Sequence, residues 1–188
     1  MSDRILHLVV CGAPLAVRIA DGVKEARQRG WTVAIIPTEA AHAWIDLAAL
    51  DGTPVVGQHR QPSEEKRLPP ADAIAVAPLT FNSLNAWATG IANTYPLATL
   101  CAALGRRVPI VAVPFAKDDL AGHPAWLGSL AVLQYAGVRL VDPSTGRAGS
   151  AEPIASGTGA RVAEEFEWSW ILDQLEELTR KDVEAQEI

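Results

Sequence analysis

The stretch that decides the fold runs from residue 5 to residue 37 and reads ILHLVVCGAPLAVRIADGVKEARQRGWTVAIIP. Its two ends, residues 5–11 and 31–37, are short apolar runs rich in Val, Ile and Leu, which predict β-strands. Residues 15–29 between them have the spacing of a helix, and Gly30 is a typical stop signal. A strand, a helix and a second strand within about thirty residues are typical of a βαβ unit, whose strands run parallel.

The same alternation continues along the chain. Strands are predicted at residues 71–77, 109–113 and 138–141, and residues 55–56 form a weaker candidate. Helical patterns separate or precede these strands, at residues 83–88, 97–104 and 123–136. This order predicts one α/β domain with a doubly wound, mostly parallel sheet and helices on both faces. In such sheets, ligands bind beyond the carboxyl ends of the strands.

Composition excludes several classes of protein. The 188 residues are 49% hydrophobic and 20% charged, which is the globular average. Residues 164–188 have a net charge of −7 and residues 1–163 a charge near +1, so no basic surface for nucleic acid is expected. No apolar run reaches the length of a membrane span, no signal peptide is recognised, and Cys11 and Cys101 lack the spacing of a zinc site. We expect a cytoplasmic protein without a metal, a nucleic-acid partner or a membrane.

Two segments and the tail depart from the alternation. Residues 57–70 are polar and too long for an ordinary connection, and residues 142–159 are rich in Gly, Ser and Pro. For the second segment, an active-site lid and simple disorder are both open interpretations. Residues 164–188 carry an apolar stripe that includes Trp168 and Leu175. We therefore expect a separate acidic, amphipathic helix that packs on the 1–163 domain or on a partner subunit.

Three predicted strands end in residues suited to a phosphate group. Gly12-Ala13-Pro14 forms a tight turn into a helix, whose first N–H groups face outward as donors. Thr38 follows the second strand, and residues 80–83 (TFNS) follow the strand at 71–77. Their hydroxyl groups fit either an anion or a helix cap. The glycine fingerprints of dinucleotide and ATP sites are absent from the sequence, which favours a mononucleotide.

These same strand ends carry a family resemblance. Residues 77–83 (APLTFNS), followed by 90–93 (GIAN), resemble the Pro-Ala-Ser-Ala-Asn-Thr stretch and the Gly-Ile-Ala-Asp of the homo-oligomeric flavin-containing cysteine decarboxylases. Pro78 and Asn82 stand at fixed positions of that motif. Residues 35–41 (IIPTEAA) resemble the family's second strand and its Thr-x-Ala-Ala turn. The resemblance covers roughly residues 5–163.

The resemblance implies a Rossmann- or flavodoxin-like FMN-binding domain over residues 1–163 and assembly as a trimer or a multiple of trimers. Trp44, Trp87 and Trp126, on helical patterns, are either interface anchors or core residues. The carried-over cofactor residues are Gly12, Ala13 and Pro14 at the phosphate or ribityl chain, Thr38 at the phosphate, Thr80, Phe81, Asn82 and Ser83 along the ribityl chain and ring edge, and Phe115 beside the isoalloxazine.

The catalytic positions of the family are not matched. Lys117 replaces the Asn that holds the substrate carboxylate, and it is either a carboxylate-binding charge or a solvated loop residue. Glu64 stands near the place of the active-site His, while His59 lies a little earlier as a candidate for acid–base work or a surface residue. Ser156 aligns with the protonating Cys. His59 and Lys117 are therefore the candidate catalytic residues.

The sequence thus predicts an FMN-binding flavoprotein that acts on a small carboxylate in a decarboxylase-like reaction. Two alternatives remain open at this point. One is a flavin prenyltransferase-like enzyme, which needs an apolar pocket and a phosphate clamp. The other is a non-catalytic flavin-binding or regulatory subunit, which the changed catalytic positions allow.

Overall fold

A computed structural model describes residues 4–186, with side chains for residues 4–180. In this part of the chain the strands are β1 (Arg4–Val10), β2 (Trp31–Pro37), β3 (Ala73–Leu79), β4 (Ile110–Pro114) and β5 (Arg139–Leu140). They form one parallel sheet in the order β2-β1-β3-β4-β5. The predicted doubly wound parallel fold is confirmed. The weak strand candidate at 55–56 is wrong, because only Val55 pairs, in a single bridge to Ile35.

Helices cover both faces of the sheet. They are α1 (Ile19–Gln28), α2 (Phe81–Ala88), α3 (Tyr95–Gly105), α4 (Asp118–Ala121), α5 (Ala125–Tyr135), α6 (Gly159–Glu165) and α7 (Ser169–Gln186), with 3₁₀ turns at Pro14–Arg18, Glu39–Ala43 and Leu47–Leu50. The core on one face includes side chains from α1, α6 and α7, and the core on the other face includes α2, α3 and α5. Within residues 4–186, none of these helices is both long and apolar enough to cross a bilayer.

The central strand β3 shows why the two faces differ. Its side chains alternate, so Ala73, Ala75 and Ala77 face the α7 side, and Ile74 and Val76 face the α2 and α3 side. All of β3 is buried, as expected for a strand covered on both faces. The alanines leave room for α7, which packs against β3 and β4. The Ala77–Pro78 peptide at the end of the strand is cis.

The C-terminal segment is divided rather than being one helix from residue 164. Helix α6 ends at Glu165, Phe166 is extended, and α7 begins at Ser169. Trp168 is buried in the same core as the sheet, and a Cβ placed on Gly22 would lie 2.6 Å from its ring, so α1 needs glycine there. Of the predicted 164–188 segment, residues 187–188 lie outside the described residues.

An arginine holds the turn between α6 and α7. Arg18 Nη1 donates hydrogen bonds to the carbonyl oxygens of Ala163, Glu164 and Phe166 at 3.1, 2.8 and 2.8 Å. Its Nε donates to Asp21 at 2.8 Å. Because carbonyl groups at a helix C-terminus lack partners within the helix, Arg18 satisfies groups that would otherwise need water.

Candidate active site

A pocket of about 1040 Å³ opens beyond the carboxyl ends of β1, β2, β3 and β4. The strand order reverses between β1 and β3, because the chain moves outward to β2 on one side and to β4 and β5 on the other. Such a switch point leaves a crevice, where doubly wound proteins bind their ligands. The fold alone therefore places the pocket.

The pocket brings together every site residue that the sequence predicted. These are Gly12, Ala13, Pro14, Thr38, Thr80, Phe81, Asn82, Ser83 and Phe115 from the cofactor set, and His59 and Lys117 from the catalytic set. Most of the lining residues fall into two groups. The strand-end half consists of residues 12–14, 38 and 80–83, and the loop half of residues 57–59, 116, 117, 120, 154, 155 and 157.

Gly12 is the tightest point of the strand-end half. A Cβ at this position would lie 2.6 Å from the Ala40 carbonyl oxygen, a distance that forces the backbone to move. The backbone N–H of Thr38 donates to the Val10 oxygen at 2.8 Å, so the turns after β1 and β2 are joined directly. Glycine is required here for close approach of two backbones.

The hydroxyl groups of Thr38 and Thr80 do not cap helices. Thr38 precedes the 3₁₀ turn Glu39–Ala43 and Thr80 precedes α2, and neither makes a side-chain cap hydrogen bond. Thr80 Oγ1 lies 3.3 Å from Ser83 Oγ instead. Of the two interpretations left open by the sequence, capping is therefore excluded for these hydroxyls. Together with the N-terminus of α2, they give the strand-end half several donors.

Cys11 is a site feature that the sequence reasoning missed. Its thiol is fully buried, and burial raises the pKa of this thiol, while the neighbouring Ser83 and Thr80 act in the opposite direction. Both of these neighbours line the pocket. The sequence signal was the position of Cys11 directly before Gly12, at the end of a buried strand.

In the loop half, two distant segments are joined beside Lys117. Ile154 N donates to the Ala116 oxygen at 2.8 Å, and Asp118 N donates to the Ile154 oxygen at 3.0 Å. Lys117 itself is exposed at the start of α4 and lines the pocket. Its backbone is thus fixed by the strand-like pairing, while its ammonium group stays free to meet an anion.

Ser156 is directed elsewhere. Its Oγ donates to Asp119 Oδ2 at 3.2 Å and its N–H donates to Asp118 Oδ1 at 3.2 Å. Its neighbours Ala155 and Gly157 line the pocket, but Ser156 is not among the lining residues. The hydroxyl therefore helps to fix the segment and does not face the described cavity.

One buried carboxylate organises the long loop at residues 142–159. Asp142 is 2% exposed, and its Oδ1 accepts hydrogen bonds from Ser144 N, Thr145 N and Thr145 Oγ1 at 3.0, 2.9 and 2.8 Å. Its Oδ2 accepts from Glu152 N at 2.8 Å. Between the two open interpretations, the structure excludes disorder. The loop is folded around Asp142, and its far end lines the pocket.

His59 and Glu64, the two candidates for the missing histidine, lie in different surroundings. His59 lines the pocket and its ring stands edge-on to Tyr95, with centroids 5.6 Å apart and an interplanar angle of 85°. Glu64 is exposed and pairs with Arg67 at 2.5 Å. Its pKa is lowered because the carboxylate accepts from the Gln61 N–H and contacts Arg67. Glu64 is not among the pocket residues.

Fold and pocket together define a doubly wound α/β protein with a ligand site at the switch point of its sheet. Residues 1–163 match the Flavoprotein family, which is 163 of the 188 residues. The chain belongs to this family, and the resemblance inferred from its motifs is confirmed at that level.

Two curated relatives are similar over most of this chain. The coenzyme A biosynthesis bifunctional protein CoaBC of Mycolicibacterium smegmatis is 29% identical over 157 residues, which cover 80% of this chain and 36% of that protein. The protein of the same name from Mycobacterium tuberculosis is 30% identical over 162 residues, with coverage of 80% and 36%. The chain thus spans about a third of the length of the curated relatives it matches.

Solved structures share the fold. A PPC decarboxylase variant superposes with a TM-score of 0.70 and 15% identity, covering 95% of this chain and 99% of that chain. The FMN-dependent cysteine decarboxylase TvaF from thioviridamide biosynthesis gives 0.67 and 18%, with coverage of 87% and 100%. AnUbiX in complex with FMN and dimethylallyl pyrophosphate gives 0.66 and 17%, with coverage of 93% and 93%.

Proposed function

We propose that this protein binds FMN in the switch-point pocket and acts on a small carboxylate in a decarboxylase-like reaction. The observation that carries the proposal is the convergence of all eleven predicted site residues on one pocket. Support also comes from membership of the Flavoprotein family and from FMN in the names of several similar structures.

The strand-end half fits a phosphate and a ribityl chain. Several hydrogen-bond donors in this half suit a phosphate dianion. They are the hydroxyls of Thr38 and Thr80, which make no helix-cap hydrogen bond, the amide of Asn82 and the first N–H groups of α2. These groups orient the phosphate and stabilise its charge, and the described pocket lining contains no Arg. Gly12 allows the turn after β1 to pass close to the Ala40 backbone.

A flat apolar wall fits the flavin ring. A Cβ placed on Gly159 would lie 3.3 Å from Pro14 and 3.6 Å from Phe115, so these residues form one continuous surface. Phe115 is 7% exposed and is fixed by its N–H, which donates to the Leu79 oxygen at 2.8 Å. When bound, FMN supplies an acceptor for a hydride or an electron pair.

Lys117 and His59 are the residues that we assign to the substrate. In the described pocket lining, Lys117 is the only Lys or Arg, which suits one carboxylate and offers no clamp for a diphosphate. This favours the decarboxylase-like reaction over prenyl transfer. The ring of His59 contacts Tyr95 at a part of the pocket away from Lys117, so we assign His59 to the body of the substrate beyond its carboxylate.

We also propose that the protein is a cytoplasmic homo-oligomer, a trimer or a multiple of one. Exposed apolar side chains support an interface, because Trp44 and Leu47 are 39% and 59% exposed at or near the pocket. Trp87 and Trp126 do not contribute to this argument, since they are 1% and 2% exposed in the core. Sedimentation should give a mass well above 20.0 kDa at micromolar concentration, and a monomer would contradict the proposal.

Titration of the apo-protein with FMN tests the cofactor assignment. We expect flavin fluorescence to change with a dissociation constant at or below tens of micromolar, the ordinary scale for a retained cofactor. Asn82→Leu should weaken binding, whereas Asn93→Leu, which changes an exposed asparagine outside the pocket lining, should not. No fluorescence change at that concentration would contradict FMN binding.

Binding of a simple carboxylate to the FMN-loaded protein tests the role of Lys117. Lys117→Met keeps the length of the side chain and removes its charge. Because a charge-assisted hydrogen bond contributes about 1.5–3 kcal/mol, acetate binding should weaken about tenfold or more, with FMN still bound. Equal acetate affinity in both proteins would show that Lys117 is a solvated loop residue.

A further inference from the structure

Tyr95 lines the pocket beside His59, and neither the strand-end motifs nor the family resemblance assigned it a role. It opens α3, where Thr94 Oγ1 accepts from Leu97 N at 3.5 Å and Pro96 occupies the first turn. Thr99 Oγ1 donates to the Tyr95 carbonyl oxygen at 2.9 Å. The backbone of Tyr95 is therefore fixed, and its half-buried side chain has only two torsions to order when a ligand binds.

The ring of His59 is held against Tyr95 from a different part of the fold. Val56 N donates to the Ile35 oxygen at 2.9 Å, which attaches this loop to β2. A Cβ on Gly57 would lie 3.0 Å from the Pro37 oxygen, so the loop passes close to the end of that strand. The edge-on geometry of the pair is the one that aromatic rings prefer.

This ring pair lies away from the charged end of the pocket. It is supported by α3 and by the end of β2, whereas Lys117 follows β4. Strands β1 and β3 separate β2 from β4, so the ends of β2 and β4 lie about 14 Å apart at about 4.8 Å per strand. Lys117 and Tyr95 both line the pocket between these ends, so the gap left between their side chains is shorter than the spacing of the strands. An acid as small as acetate that contacts Lys117 does not fill this distance. A substrate that reaches the ring pair needs a body beyond its carboxylate.

The chemistry of the lining shows what that body is. Within the described lining, Lys117 is the only Lys or Arg and Glu39 the only Asp or Glu, so a second anionic group has no partner. Near the ring pair, Leu97 is 8% exposed and adds an apolar surface. Aromatic groups gain most at such a surface, because they bury a large area and add ring–ring attraction.

We propose that Tyr95 and His59 form an aromatic subsite, which selects a carboxylate that carries an aromatic group. This inference rests on the proposed function and deepens it, since the carboxylate is the group held by Lys117. Tyr95 is the specificity-determining residue of the subsite. The subsite requires no change in the strand-end half of the pocket.

The test uses the FMN-loaded protein and three probes of equal charge: phenylacetate, cyclohexylacetate and acetate. Binding is followed by perturbation of the flavin absorbance and by equilibrium dialysis. Phenylacetate should bind about 2- to 10-fold more tightly than cyclohexylacetate, which is the ordinary advantage of a ring–ring contact over area alone. Acetate should bind most weakly of the three.

Variants of Tyr95 test whether this residue causes the preference for phenylacetate. Tyr95→Leu should abolish the preference for phenylacetate and Tyr95→Phe should keep it, with FMN content measured on each sample. Tyr135→Leu is the matched control, because Tyr135 is 95% exposed and lies outside this pocket. Equal affinities for phenylacetate and cyclohexylacetate, or a preference that survives Tyr95→Leu, would overturn the aromatic subsite while FMN binding stands. Failure to bind FMN would overturn the proposed function and this inference with it.

Discussion

The two halves of the pocket are built by different means. The strand-end half follows directly from buried parallel strands, in which the backbone of residues 4–10 pairs in register with that of residues 31–37. The loop half is assembled from segments far apart in sequence, and single pairings such as the one between residues 117 and 154 hold it together. The carboxyl end of the sheet tolerates little change, because each turn there contacts the turn beside it. Side chains of the loops can change without disturbing the turns at the strand ends.

The largest expected effect concerns the loop half. We predict that this protein does not decarboxylate phosphopantothenoylcysteine at an appreciable rate, because Lys117 and Ser156 replace the carboxamide and thiol that the family resemblance expects there. Loss of one interaction made only in the transition state commonly costs about 10²–10³-fold in rate. The two losses do not add independently. Carbon dioxide release with that substrate is the measurement, in air and under anaerobic conditions.

The matched variant is Lys117→Asn, which restores the directional amide at one position. Its rate should rise above that of the unmodified protein but stay well below that of a full decarboxylase, because Ser156 faces Asp119. Robust release by the unmodified protein would break the comparison between the two halves, since the loop half would then have kept the original chemistry.

A second prediction concerns the strand-end half. Gly12→Ala should lower the free energy of unfolding by about 1–3 kcal/mol and weaken FMN binding, because the new Cβ meets the Ala40 backbone at 2.6 Å. Gly128→Ala is the control, since a Cβ there has open space and Gly128 lies within α5. Chemical denaturation and FMN titration measure both effects. If Gly12→Ala binds FMN normally, the strand-end half is more tolerant than its contacts indicate.

The smallest effect is a pH dependence of stability in the sheet below the pocket. Burial lowers the pKa of His7 in β1, and its Nε2 has no hydrogen-bond partner among the residues that the structure describes. The unfolded chain therefore binds this proton more readily than the folded protein. Stability should be full above the ordinary histidine pKa of 6.5 and should fall as the pH drops below it, by at most about 1.4 kcal/mol per pH unit.

Denaturation midpoints between pH 5 and 7 measure this effect, in a range where most carboxyl groups remain charged. His7→Gln should flatten the profile. His59→Gln is the control from the loop half, because that side chain is exposed. A profile that keeps its slope without His7 would assign the pH dependence to other groups.

The sequence located residues in both halves of the pocket, but it did not show what holds the loop half together, for physical reasons. Alternating apolar runs fix where parallel strands end, so Gly12, Thr38 and Asn82 were placed without any knowledge of contacts. The order of the 142–159 loop depends on Asp142, whose partners are backbone N–H groups that a sequence does not display. Tyr95 escaped notice because half-buried aromatics at helix starts have no distinct pattern.

Helical periodicity left two interpretations open for the tryptophans at 87 and 126, an interface or the core. Both side chains are buried in the core shared by α2, α3 and α5. A helix that packs on both a sheet and a neighbouring helix buries more than one stripe, and α2 contacts α5 and α3 as well as lying on the sheet. An interpretation that assumes one buried stripe per helix therefore assigns too many residues to the protein surface.

The Arg18 contacts have a consequence for cooperativity. The 3₁₀ turn Pro14–Arg18 begins at the pocket and ends at the arginine that holds the end of α6, while Gly159 at the start of α6 lies against Pro14. The 3₁₀ turn and α6 therefore contact each other at both of their ends. Such contiguous units open together in native-state hydrogen exchange. A ligand seated on Pro14 should slow amide exchange not only in the pocket but across α6 and into the first turn of α7.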